Sequence, residues 1–137
     1  MRNELLAIDD ADLHLSILRK IAAQANFDTT GAASVGAAAS LLRERHFDCI
    51  TLDLSLGERS GVEILVLLAE LKCRTPVIVI SGSGQDTCAE TVKLGHSLDL
   101  NLCPPVPKPI HLAGLRGMLK QIAADASVQK SAMAAGG

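Results

Sequence analysis

The sequence predicts an α/β fold, a three-layer α/β/α sandwich in which one doubly wound, five-stranded parallel sheet is covered by helices on both faces. Two observations carry this reading. Strand-like runs alternate five times with stretches of helical periodicity, and the runs VIVI and CITLDL are apolar almost throughout, as strands buried on both faces require.

Glu4 to Ile8 reads as the first strand, and from Ala11 the spacing Leu13, Ile17, Leu18, Ile21, Ala22, Ala25 is helical. Phe27 to Gly31 is a second strand, followed by a helix capped by Ser34 and running to about His46. Cys49 to Leu54 is the third strand. After a loop bracketed by Gly57 and Gly61, Val62, Leu65, Leu68 and Ala69 mark a third helix that ends before Pro76. Val77 to Ser81 is a fourth strand, SGSGQD a turn, and Asp86 to about Gly95 or slightly beyond a fourth helix. Leu100 to Cys103 reads as a weaker fifth strand. Beyond the proline cluster PPVPKP, Leu112, Leu115, Leu119 and Ile122 define a last helix. The domain is expected to span residues 1–124, with 125–137 a flexible tail or the start of an interdomain linker.

At 137 residues the chain fits one domain. A hydrophobic fraction of 48% with a net charge of −2 excludes a disordered chain and a nucleic-acid binder recognisable by basic excess. The apolar runs are too short for a membrane span, and LLAI meets Asp9-Asp10 too soon for a signal-peptide core, so the expectation is a cytoplasmic protein with no membrane partner. Cys49, Cys73, Cys88 and Cys103 lack metal-ligand spacing and are expected to be reduced, mostly buried thiols. His14, His46, His96 and His111 show no ligand spacing either and are expected at the surface or at helix ends.

In an open doubly wound sheet, ligands bind beyond the carboxyl ends of the strands, where strand order reverses. With the common order 2-1-3-4-5, Asp9 and Asp10 after the first strand, Asp53 at the end of the third, Ser81 at the end of the fourth and Lys108 after the fifth converge on one cleft. Three gathered carboxylates repel, raising at least one pKa unless a cation relieves them. Magnesium, which keeps waters and takes one or two carboxylates, suits that arrangement. A carboxylate at a strand tip can also attack phosphorus to give an aspartyl phosphate, with an ammonium and a hydroxyl neutralising the transferred oxygens. Each residue also has a plainer reading: an acid pair at a helix start, a turn serine, a solvated lysine.

The combination IDD, LDL-x5-SG, VIVISGS and KPI, in this order across residues 4 to about 122, resembles the receiver domain of two-component response regulators, with its CheY-like, flavodoxin-like fold. By that resemblance Asp53 is the phosphoacceptor, Asp9 and Asp10 are the acidic pair that holds Mg2+, and Ser55 supplies a main-chain carbonyl to the ion. Ser81 is then the switch hydroxyl, Lys108 contacts the phosphoryl group, and the Lys108–Pro109 bond is cis. The implied partners are a sensor histidine kinase or phosphotransfer protein and an output domain or partner protein, with homodimerisation compatible and no direct nucleic-acid contact. Such a domain promotes only its own phosphorylation and dephosphorylation and is not an enzyme acting on a separate substrate.

Two departures accompany the match. Pro105 stands where receivers commonly carry an aromatic three residues before the lysine, and the chain has no Tyr or Trp. The connection from Gly95 to Lys108 is long, and with DLSLGERSGVEIL it is similar to receivers that precede an EAL-type cyclic di-GMP phosphodiesterase domain. A haloacid-type phosphatase needs a second acid two residues after the nucleophile, where this chain has Ser55; a flavodoxin relative is opposed by the scarcity of aromatics. The main alternative is a pseudo-receiver, a protein-interaction module that is not phosphorylated.

Overall fold

The computed structural model describes residues 3–54, 60–81 and 85–136. Among them, strands and helices alternate as β1 (Asn3–Ile8), α1 (Asp12–Gln24), β2 (Phe27–Ala32), α2 (Val35–Glu44), β3 (Cys49–Asp53), α3 (Ser60–Glu70), β4 (Val77–Ser81), α4 (Gln85–Ser97), β5 (Val106–Pro107) and α5 (Leu112–Gly136). All pairings are parallel, in the order β2-β1-β3-β4-β5. The predicted α/β fold and strand order are those observed.

Strand periodicity divides the core into two layers, because successive side chains point to opposite faces. Leu5, Ala7, Cys49, Ile78 and Ile80 pack with Leu18, Ile21 and Ala22 of α1 and Leu115, Leu119 and Ile122 of α5. Leu6, Ile8, Ile50, Leu52, Val77 and Val79 face the other way, onto Ala38 of α2 and Ile64, Leu65 and Leu68 of α3. β3 is buried along its whole length, the last position being Asp53. Ser34 caps α2 as expected, its hydroxyl accepting from the Ala37 amide at 3.1 Å.

Three elements differ from the sequence reading. The fifth strand lies at Val106–Pro107 rather than Leu100–Cys103, where a single bridge, Val77 to Leu102, is all that forms. β4 advances three residues between its pairings with Leu102 and Val106, whereas the partner chain segment advances four. The extra residue falls at Pro104-Pro105, which have no N–H to donate, so the ladder is interrupted there and resumes beyond. Leu13, counted in the helical pattern of α1, is 71% exposed: the inward stripe is Leu18, Ile21, Ala22, and Leu13 lies off it. The expected tail from Asp125 is helical in backbone to Gly136, in keeping with its alanine-rich sequence.

The cysteine expectation holds where it is described: Cys49 is fully buried, Cys73 and Cys103 are half-buried, and all three are free thiols. The side chain of Cys88 lies outside the described residues. Among those residues no helix is long and apolar enough to cross a membrane.

Candidate functional site

The site forms at the carboxyl ends of β1, β3 and β4. On β3, Asp53 has the same parity as Cys49 and therefore points to the face covered by α1 and α5. Asp9, two residues beyond Ala7, has the same parity at the end of β1. The two carboxylates thus share one side of the sheet at adjacent strand ends, and both are buried, at 2% exposure for Asp9 and 1% for Asp53.

Asp9 is anchored by the start of α1: its Oδ1 accepts from the Ala11 amide at 2.9 Å. A carboxylate there satisfies one of the amides that a helix N-terminus leaves unpaired. Burial nevertheless raises the Asp9 pKa above its ordinary value, and the nearby Asp53 pushes it the same way, while the Ala11 amide and His14 oppose the rise. The crowding of acids inferred from the sequence is therefore present at this pair.

Lys108 reaches in from beyond β5. Its position is set by backbone: Ser81 pairs with Pro107, the Lys108 amide donates to the Ser81 carbonyl at 2.9 Å, and the Lys108–Pro109 bond is cis, as the resemblance implied. The ammonium then donates to Asp53 Oδ2 at 2.6 Å. Ser81 is half-buried at the end of β4, next to the strand position that pairs Ile80 with Asp53.

The five cleft residues are not equally placed. Asp9, Asp53 and Lys108 converge, and Ser81 borders them. Asp10 is exposed and stands outside the group of donor atoms that gather within 4.8 Å of one another. Ser55 lies outside the described residues.

That group contains instead a residue the sequence reading set aside. His14 Nδ1 is 3.2 Å from Asp9 Oδ2 and 3.6 Å from Asp53 Oδ2. A signal for it was available: His14, Leu18 and Ile21 stand at i, i+4 and i+7, so the histidine lies on the inward stripe of α1, one turn before the core begins. The spacing of the four histidines from one another carries no trace of it.

The oxygen-rich pair Asp9 and Asp53 fits a hard divalent cation, since two desolvated carboxylates side by side are relieved by such a charge. Phosphoryl transfer to Asp53 is the chemistry that this arrangement of carboxylates and ammonium can support.

Residues 5–120 match the response regulator receiver domain family, so the chain belongs to that family. It is 33% identical over 87 residues to the transcriptional regulatory protein SrrA of Staphylococcus aureus, an alignment that covers 64% of this chain and 36% of that protein. The chain therefore spans only about a third of that relative. A response regulator from Colwellia psychrerythraea superimposes with a TM-score of 0.77 at 26% identity, covering 91% of this chain and 99% of that one. A signal receiver domain from Vibrio parahaemolyticus gives 0.79 at 17% identity, covering 96% of this chain and 98% of that one, a likeness of fold alone.

Proposed function

We propose that this receiver domain accepts a phosphoryl group on Asp53 from a partner histidine kinase, or a phosphotransfer protein, and thereby switches an output domain or partner protein. The observation that carries the reading is the buried Asp53 carboxylate held between Asp9 and the Lys108 ammonium at 2.6 Å.

An Asp53 carboxylate oxygen attacks phosphorus in line with the bond that breaks, the P–N bond of the donor's phosphohistidine, whose imidazole leaves, and the rigid β3 tip fixes the direction of attack. Lys108, already at that carboxylate, shifts to the transferred oxygens as negative charge moves there. The Ser81 hydroxyl, on the neighbouring strand, hydrogen-bonds a phosphoryl oxygen in the product. Mg2+ is the expected cofactor; Asp9 and Asp53 would hold it, with Asp10 at the rim and the Ser55 carbonyl completing the protein donors. When bound, it neutralises carboxylate and phosphoryl charge. The added phosphoryl charge biases the surface offered to the output partner.

The domain acts on itself and turns over no separate substrate. A cytoplasmic setting, an EAL-type phosphodiesterase as output, a linker role for the end of α5 and homodimerisation all belong to this reading as extensions of it. The Pro105 substitution means that any coupling from Ser81 to α4 and α5 proceeds without an aromatic at that position.

Incubation of the chain with acetyl phosphate and Mg2+, followed by intact mass measurement, tests the proposal. A phosphoryl-sized gain that disappears in Asp53→Asn is the expected result. An unmodified wild type, under conditions that modify a control receiver, would instead identify a pseudo-receiver.

A further inference from the structure

We propose that His14 is a third protein ligand of the divalent-cation site, through Nδ1, and that it makes the site selective for first-row transition cations over magnesium. This deepens the reading above and rests on its assignment of Asp9 and Asp53 as cation ligands.

The geometry comes first. A borderline cation binds imidazole nitrogen and carboxylate oxygen at about 2.0–2.2 Å, so two donors on one ion are at most about 4.4 Å apart. His14 Nδ1 meets that limit against both acids, at 3.2 Å from Asp9 Oδ2 and 3.6 Å from Asp53 Oδ2. The histidine sits on the first turn of α1, whose start is tied to Asp9 through the Ala11 amide, so ring and carboxylate are held by the same short stretch of chain. Its side chain is 35% exposed, which leaves a solvent path to the site.

Donor chemistry gives the selectivity. Oxygen-only sites suit magnesium, whereas imidazole suits zinc, cobalt, nickel and their neighbours, whose affinities for a mixed nitrogen and oxygen set rise along the first row. One nitrogen beside two carboxylates shifts the balance towards those ions without excluding magnesium. In the metal-free site Nδ1 and Asp9 share a proton across their 3.2 Å hydrogen bond; on binding, that proton passes to solvent, the Nδ1 lone pair goes to the cation and the neutral ring carries its proton on Nε2.

The experiment uses the full chain with three probes: Mg2+, Co2+ and Mn2+. Calorimetric titration of wild type and His14→Leu should show Co2+ binding weakened about 10-fold or more in the variant, with Mg2+ binding altered by less than about threefold. Pulsed electron paramagnetic resonance of the Mn2+-loaded wild type should show coupling to an imidazole nitrogen that is lost in His14→Leu. That wild-type spectrum stands even if the variant folds poorly. Absence of nitrogen coupling in the Mn2+-loaded wild type, or an unchanged ratio of Co2+ to Mg2+ affinity in a folded variant, overturns the proposal.

Phosphorylation of wild type by acetyl phosphate in Mg2+ separates the two readings. Modification without nitrogen coupling removes His14 alone. Coupling without modification leaves the ligand set standing and removes the phosphoacceptor role.

Discussion

Lys108 donates to Asp53 across 2.6 Å, although 55 residues separate them in sequence and the carboxylate is only 1% exposed. This one contact ties the end of β5 to the end of β3. Truncating the lysine leaves a buried carboxylate beside Asp9 with its cation removed. Lys108→Ala should therefore lower stability by about 1–3 kcal/mol and slow acetyl phosphate labelling roughly 10²-fold. In an Asp53→Asn background the same truncation should cost little, because the charge it compensates is gone; a double-mutant cycle by urea denaturation measures the difference. Equal costs in both backgrounds would mean that the pair does not couple.

Asp9 gives the second prediction. Its pKa is raised chiefly by burial and further by Asp53, so replacing it removes a repulsion in the metal-free protein. Asp9→Asn should raise the metal-free melting temperature by a few degrees, on the order of 1 kcal/mol, and should abolish the upward shift expected of the wild type in millimolar Mg2+. Differential scanning fluorimetry with and without the ion reads both changes.

Gly95 permits a test of how the segment before β5 is held. A Cβ there would run into the side chain of Leu102, the residue that bridges to Val77. Gly95→Ala should destabilise by about 1–3 kcal/mol, since the overlap outweighs the gain in helix propensity. Leu102→Ala in the same chain should recover part of the loss, an outcome that chemical denaturation of Gly95→Ala, Leu102→Ala and the double variant would establish.

Cys49 is fully buried, and burial pushes its thiol pKa far above the ordinary value of 9.0, Cys103 adding to the effect. Native protein should therefore show Cys49 unlabelled by iodoacetamide at pH 8 while Cys73 reacts, with Cys103, half-buried and its thiol pKa also raised by burial, slower than Cys73, as peptide mapping would reveal. The same shift makes stability fall as pH rises above about 9. There the unfolded thiol ionises while the folded one stays protonated, so the unfolded state binds fewer protons. Urea midpoints at pH 8 and pH 10 should decrease in wild type more than in Cys49→Ala.

The alternation of strands and helices, and their order in the sheet, were legible because a parallel sheet imposes continuous apolar runs such as VIVI and short crossovers between them. Asp53 and Lys108 were legible because strand ends are where such sheets place their chemistry. β5 was misplaced because LNLC looks more strand-like than VP. Hydrogen bonding decided otherwise: Cys103 donates to Val77, the two prolines cannot continue the ladder, and pairing resumes with Val106 against Ile80. His14 was missed because one polar residue on an apolar helical stripe reads as an interruption, and only the convergence of α1 with β3 reveals what it faces. The exposure of Asp10 depends on how the chain turns after Asp9, which spacing does not record.

The proline-flanked, two-residue β5 also bears on colloidal behaviour. It closes one margin of the sheet, where a longer strand would offer a row of unpaired amides to another molecule. With Pro104, Pro105, Pro107 and Pro109 around it, that margin has too few donors for intermolecular β-addition, so concentrated solutions gain protection against sheet-to-sheet polymerisation from the same residues that carry Lys108 to its partner.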